Sequence, residues 1–296
     1  MTSRRLAQLF ALALFVLTYW TVVSRPGVIG DEFVGMIYAV FLLVTAVAFG
    51  VAFMTLRVAT IGSANFWTTG YDDQVRPIWW MILTVLGVMC AVGALLHLLG
   101  QSNPASSEIT YLLAGTLVPA LFVHCKLIQW PERLRYASWP RLLLIGAPAI
   151  CVALAWSHFA YLASPERSAL PEGQDLISTL GALIIGGTLE EVLFRVFLLT
   201  ALVGRTGSRV NAVFLSSIAF GLMHIPGTLL NTVMHGDWSV LWQVAFDYAP
   251  GFLLQTALGL FLGVIWLQTG SITLIALLHA LLNLGNALAT GLLAYG

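Results

Sequence analysis

Apolar residues in this chain fall in long blocks instead of alternating with polar ones. Nine blocks lie at about 6–23, 35–56, 78–100, 109–128, 142–163, 176–203, 210–225, 250–268 and 272–293. A helix of ~20 apolar residues crosses the ~30 Å hydrocarbon core of a bilayer, so the pattern predicts about nine membrane-spanning helices. The seventh block is short: Pro226-Gly227 interrupts it, and the stretch from there to Pro250 reads as re-entrant or interfacial. The first block follows Arg4 and Arg5, is longer than a signal-peptide core and ends in Ser24-Arg25-Pro26. It therefore reads as a retained span and not as a cleaved leader.

Composition narrows the class further. Of 296 residues, 59% are hydrophobic and 9% charged, against about 25% charged in soluble domains, and the mean hydropathy is +0.91. Thirteen basic residues balance thirteen acidic ones, which leaves no electrostatic footprint for nucleic acid, and the apolar content excludes disorder. The expected fold is all-α, a polytopic transmembrane helical bundle. Placing the N-terminus inside puts Arg4, Arg5, Arg57, Arg76, Lys126, Arg133, Arg135, Arg141, Arg205 and Arg209 in inner segments, with only Arg25 and Arg167 outside. This asymmetry predicts an N-in multi-pass protein of the cell membrane, and the short loops and compact termini point to a bacterial inner membrane. Trp79, Trp80, Trp130, Trp139 and Trp266 fall near predicted span ends, where amphipathic rings settle. Cys90, Cys125 and Cys151 lie in apolar runs without CxxC spacing and read as small packing residues.

The ionic groups are unevenly placed. Residues 1–170, holding five spans, carry intramembrane polar groups only as isolated histidines and read as a scaffold region. Residues 175–293, holding four spans, carry the buried charge and read as the working unit. His97, His124 and His158 are expected to hydrogen-bond neighbouring helices, and His235, beside Asp237, to be solvated. The sixth span contains Gly186-Gly187-Thr188-Leu189-Glu190-Glu191-Val192-Leu193-Phe194-Arg195. Each intramembrane charge costs roughly 2.5–3.5 kcal/mol on insertion scales, so such groups face the bundle interior. Glu191 and Arg195, four apart, share a helix face and suit an ion pair. Glu190, rotated ~100° from Glu191, is left to address something else, as a general base would. Phe220 and His224 are one turn apart on the seventh span, and His279 and Asn283 on the ninth. At ~1.5 Å per residue, Glu190, His224, His279 and Asn283 lie roughly 20, 22, 12 and 18 Å from the inner helix ends, compatible with one cluster. Gly259 and Gly263 form a small-xxx-small pair suited to close helix packing.

Glu190-Glu191-x-x-x-Arg195, Phe220-x-x-x-His224 and His279-x-x-x-Asn283, in that order on successive spans, resemble the CPBP family. These are the CAAX-protease and bacteriocin-processing intramembrane proteins, also called the Abi family. The resemblance covers about residues 175–292 and does not extend to the first five spans. It implies an all-helical intramembrane endopeptidase acting on a membrane-associated protein or peptide. By the same resemblance, Glu190 activates water with His224 assisting, His279 and Asn283 stabilise the oxyanion, and Glu191 with Arg195 forms the supporting ion pair.

The chemistry is reasonable without the family. Peptide hydrolysis needs an activated water, an acid for the leaving amine and donors aimed at the oxyanion, and these residues can supply all three. Zinc is the rival: Glu190, His224 and His279 can hold it with one position open, although there is no HExxH and the ligands come from three helices. The metal-free glutamate mechanism, with no cofactor, is the preferred reading. Two other classes remain. One is a non-catalytic membrane scaffold or immunity protein built on the same motifs. The other is a proton-coupled transporter, for which inverted repeats and broken helices would be expected and are not seen in the sequence.

Overall fold

A computed structural model describes residues 66–67, 71–100, 104–163, 173–226 and 248–290, with isolated positions 9, 13 and 16. The described residues contain no strand beyond one isolated bridge between Trp67 and Arg133, so the architecture is all-helical. The spans expected over 6–23 and 35–56 lie outside the described residues apart from the three isolated positions. So do His235 and the segment read as re-entrant.

The helices are α1 (Val75–Leu98), α2 (Pro104–His124), α3 (Trp139–Ala163), α4 (Gly173–Glu191), α5 (Thr200–Thr206), α6 (Arg209–Met223), α7 (Ala249–Thr269) and α8 (Ile272–Thr290). A π-helical segment, Val192–Leu199, joins α4 to α5 without a break. Among the described residues, four helices are long and apolar enough to cross a membrane: Val75–Leu98, Trp139–Leu162, Gly251–Thr269 and Ile272–Ala289. Thr110–His124 and Arg209–Met223 are shorter apolar helices.

Burial separates the centre of this bundle from its rim. The apolar window of α7 is 61% buried, that of α1 only 17%. α7 packs on α6, α8 packs on α3 and α4, and α2 bridges α1 and α4. Leucines at 83, 95, 143, 144 and 154 point outward from α1 and α3, as expected where the outer solvent is hydrocarbon. Trp79, Trp80, Trp130 and Trp139 are exposed near helix ends. Trp266 departs from its expected interfacial place: it is 1% exposed, with its ring centroid 5.0 Å from that of Trp67. Only Cys90 is partly buried, while Cys125 and Cys151 are exposed, so the packing role expected of the cysteines does not hold for those two.

One three-residue device, Thr-Gly-Ser, turns the chain twice, after α5 and after α7. Gly207 and Gly270 take left-handed conformations (φ 60° and 57°) that cost other residues energy. Thr206 and Thr269 donate to carbonyls four residues back, at 2.8 Å each. Ser208 and Ser271 accept from the amides of Asn211 and Leu274, both at 3.3 Å, opening α6 and α8. The turns fold α5 onto α6 and α7 onto α8, which brings the motif-bearing helices together.

Close approach depends on small residues. A Cβ on Gly259 would lie 2.9 Å from the Ser217 backbone, and one on Gly263 3.2 Å from Val213, so the expected small-residue pair does seat α7 against α6. Gly285 is tighter still, since a Cβ there would overlap the backbone carbonyl of Ser157 on α3. Gly285→Ala is therefore expected to part α3 from α8 and destabilise by roughly 1–3 kcal/mol. Gly181→Ala, where nothing lies within 4 Å, should be neutral or stabilising by up to about 1 kcal/mol through helix propensity. Thermal melts of the two variants in micelles test the contrast, and equal melting temperatures would refute it.

Candidate active site

The site begins with the two glycines that precede the two acids by one turn each. A Cβ on Gly187 would lie 3.1 Å from Cγ of His279. The absence of one lets the imidazole lie against α4 and reach Glu191, whose Oε1 is 2.8 Å from His279 Nδ1. A Cβ on Gly186 would lie 3.4 Å from the ring of Tyr111, and the Tyr111 hydroxyl donates to Glu190 Oε1 at 2.6 Å. Glycine thus opens one slot above each carboxylate, and each slot admits a different ring.

Past Glu191 the helix widens, and the uniform turn assumed from sequence no longer applies. The segment Val192–Leu199 is π-wound, a form found mostly as short bulges and often at functional sites. Thr200 Oγ1 donates to the Arg195 carbonyl five residues back at 3.1 Å, and Ser216 Oγ on α6 donates to the Phe194 carbonyl at 2.8 Å. Within this segment Arg195 is 1% exposed, its Nε 3.1 Å from Glu191 Oε2. Its Nη1 and Nη2 make no hydrogen bond among the described residues. Its guanidinium carbon instead sits 4.4 Å from the centre of the Phe220 ring, a cation–π contact that strengthens where water is excluded.

Phe220 organises the histidines as well. Its ring meets His224 edge-on at 4.9 Å and His279 at 5.9 Å, with Phe194 at 5.4 Å. At the end of α6 the His224 amide turns to the Gly221 carbonyl, and Nδ1 of the same residue lies 2.9 Å from the Phe220 carbonyl. A carbonyl only accepts, so Nδ1 carries a proton, and in the neutral ring Nε2 is the nitrogen with the lone pair. The helix end fixes the tautomer.

These constraints converge on one atom. Glu190 Oε2 is 3.6 Å from His279 Nε2 and 3.9 Å from His224 Nε2. Oε2 is buried and makes no hydrogen bond among the described residues. The gaps exceed direct hydrogen-bond length and suit a shared bridging group. Asn283 lies one turn beyond His279 on α8, half-buried and without a hydrogen-bond partner among the described residues. Glu190, Glu191, Arg195, Phe220, His224 and His279 thus form one connected cluster. His124 and His158 stand exposed on the outside of α2 and α3, away from the interhelical role expected of them.

Residues 172–285 match the family model described as Type II CAAX prenyl endopeptidase Rce1-like. This stretch is an Rce1-like region. The match bears out the resemblance read from the three motifs and takes in all seven residues that carry them. No curated protein and no solved structure matches the chain. With four helices among the described residues apolar enough to span a bilayer, the chain is a membrane protein, and the family matched by its Rce1-like region is one of intramembrane endopeptidases.

Tyr111 lies outside the Rce1-like region, and nothing in the sequence singles it out. A lone tyrosine in an apolar span is ordinary, and its nearness to Glu190 depends on the packing of α2 on α4. Tyr248, just ahead of α7, was also missed. Burial, and after it the negative charge of Glu190, keeps the Tyr248 phenol well above its usual range.

Proposed function

We propose that the protein is an intramembrane endopeptidase that hydrolyses a peptide bond of a membrane-associated protein or peptide with water activated by Glu190. The observation that carries this reading is the convergence of Glu190 Oε2 with the Nε2 atoms of His224 and His279. A water bound there gives its proton to Glu190 as its oxygen bonds to the scissile carbonyl carbon. His279, held at Nδ1 by the Glu191 carboxylate, can carry a second proton on Nε2 and donate it to the oxyanion. Asn283 offers a further N–H donor from the same helix face. As the C–N bond breaks, a proton passes through Glu190 and His224 to the leaving amine. General base action contributes about 10²–10⁴-fold, and each oxyanion donor about 10²–10³-fold. The reading includes the N-in, nine-span topology of a bacterial inner-membrane protein, with the first 170 residues as a scaffold region.

In cells lacking the protein, one membrane-associated precursor is expected to accumulate uncleaved. Glu190→Ala should reproduce that accumulation, and the unaltered protein should reverse it. A Glu190→Ala protein that restores processing would replace the protease reading with the non-catalytic scaffold.

Zinc on Glu190, His224 and His279 is the second mechanism. The donor types are suitable, but among the described residues no group of three His, Cys, Asp or Glu is placed to hold a metal ion. Cleavage is expected to withstand extended treatment with EDTA or 1,10-phenanthroline. A loss restored by added zinc would favour the metal mechanism.

A further inference from the structure

We infer that Tyr111, on α2 and outside the Rce1-like region, is a positioning residue for Glu190. The inference rests on the general-base reading above and names the residue that aims the base. At 2.6 Å the Tyr111–Glu190 contact has the length of a charge-assisted O–H···O⁻ bond. It engages Oε1, while Oε2 is the oxygen that faces both imidazoles. The two carboxylate oxygens therefore have separate tasks, one anchored and one presented. Without the anchor, rotation of the carboxyl group can exchange them or turn both away from the histidines.

The anchor is itself fixed by packing. Gly186 leaves room for the phenol ring, and its carbonyl lies 3.4 Å from the Tyr111 hydroxyl. One turn along α2, a Cβ on Gly115 would lie 3.2 Å from the Leu189 side chain. Two contacts a turn apart on each helix set the register of α2 against α4. The hydroxyl is thereby held relative to Glu190 by the bundle. Tyr111 touches the base and not the water, so it acts through Glu190.

Tyr111→Phe removes one oxygen and keeps the ring. In full-length protein in lipid nanodiscs, the infrared carboxylate bands of Glu190 are those missing from Glu190→Gln. They are expected to change frequency and splitting in Tyr111→Phe while the melting temperature stays close to that of the parent. Unchanged bands would overturn the inference, whether or not the protein cleaves any peptide. With a farnesylated peptide ending in a CAAX sequence as probe, kcat should fall roughly tenfold to a hundredfold, the usual range for a lost hydrogen bond to a charged group. KM should stay within about twofold. An unchanged kcat, or a loss confined to KM, would also overturn it. If the unaltered protein leaves this probe intact, that outcome counts against the probe as substrate, and the infrared result decides the role of Tyr111.

Discussion

Glu190→Gln is expected to reduce substrate cleavage by at least ~10²-fold, and by as much as ~10⁴-fold, without unfolding the protein. The two halves of that expectation come from different oxygens. At Oε1 a glutamine carbonyl can still accept the Tyr111 hydroxyl, so the contact between α2 and α4 survives. At Oε2 the carboxylate oxygen becomes an amide nitrogen, which cannot take a proton from water. Glu190 is 4 % exposed, and removing a charge from such a place relieves desolvation. The melting temperature should therefore hold or rise while turnover collapses. Cleavage assayed beside a melting curve checks both halves. A Glu190→Gln protein that retains turnover would remove the general base from the mechanism, and one that unfolds would mean that the charge itself holds the bundle together.

Parts of this site could be read in the sequence because helical spacing is local. Glu190 and Glu191 occur in an otherwise apolar span, and the energetic cost of placing them there requires partners. The i, i+4 relations Phe220–His224 and His279–Asn283 follow from helix geometry alone. The long-range partners are less accessible. Which acid His279 would choose depends on the slot above Gly187, a property of how α8 lies across α4. The π-helical segment has no signature either, since Val192–Leu199 uses the residue types of an ordinary apolar helix. Trp266 shows the same limit in reverse: its position near a helix end suggested the membrane interface, and stacking on Trp67 draws it inward. The Thr-Gly-Ser turns were visible as letters, but their use at two helix corners became clear only from the left-handed glycines and the serine caps.

Arg195→Met is expected to cost about 3–5 kcal/mol, because it leaves the wholly buried Glu191 carboxylate without its counter-charge. Methionine replaces the stem of the arginine but not the charge, and it also removes the cation from the face of Phe220. Arg195→Met with Glu191→Gln should recover most of that loss. The glutamine carbonyl can still accept from His279 Nδ1, and a neutral buried pair has no charge to desolvate. A double-mutant cycle of melting temperatures measures the coupling. Additive losses would show that the two groups do not stabilise each other. Cleavage should not recover with stability. A neutral glutamine on Nδ1 supports a cationic imidazole poorly, so His279 would lose its capacity to donate from Nε2 to the oxyanion. Restored folding with lost turnover would separate the structural role of the Glu191–Arg195 pair from the chemical role of the Glu191–His279 pair. Glu191 belongs to both, which explains why the buried carboxylate is placed where an arginine and a histidine can reach it together.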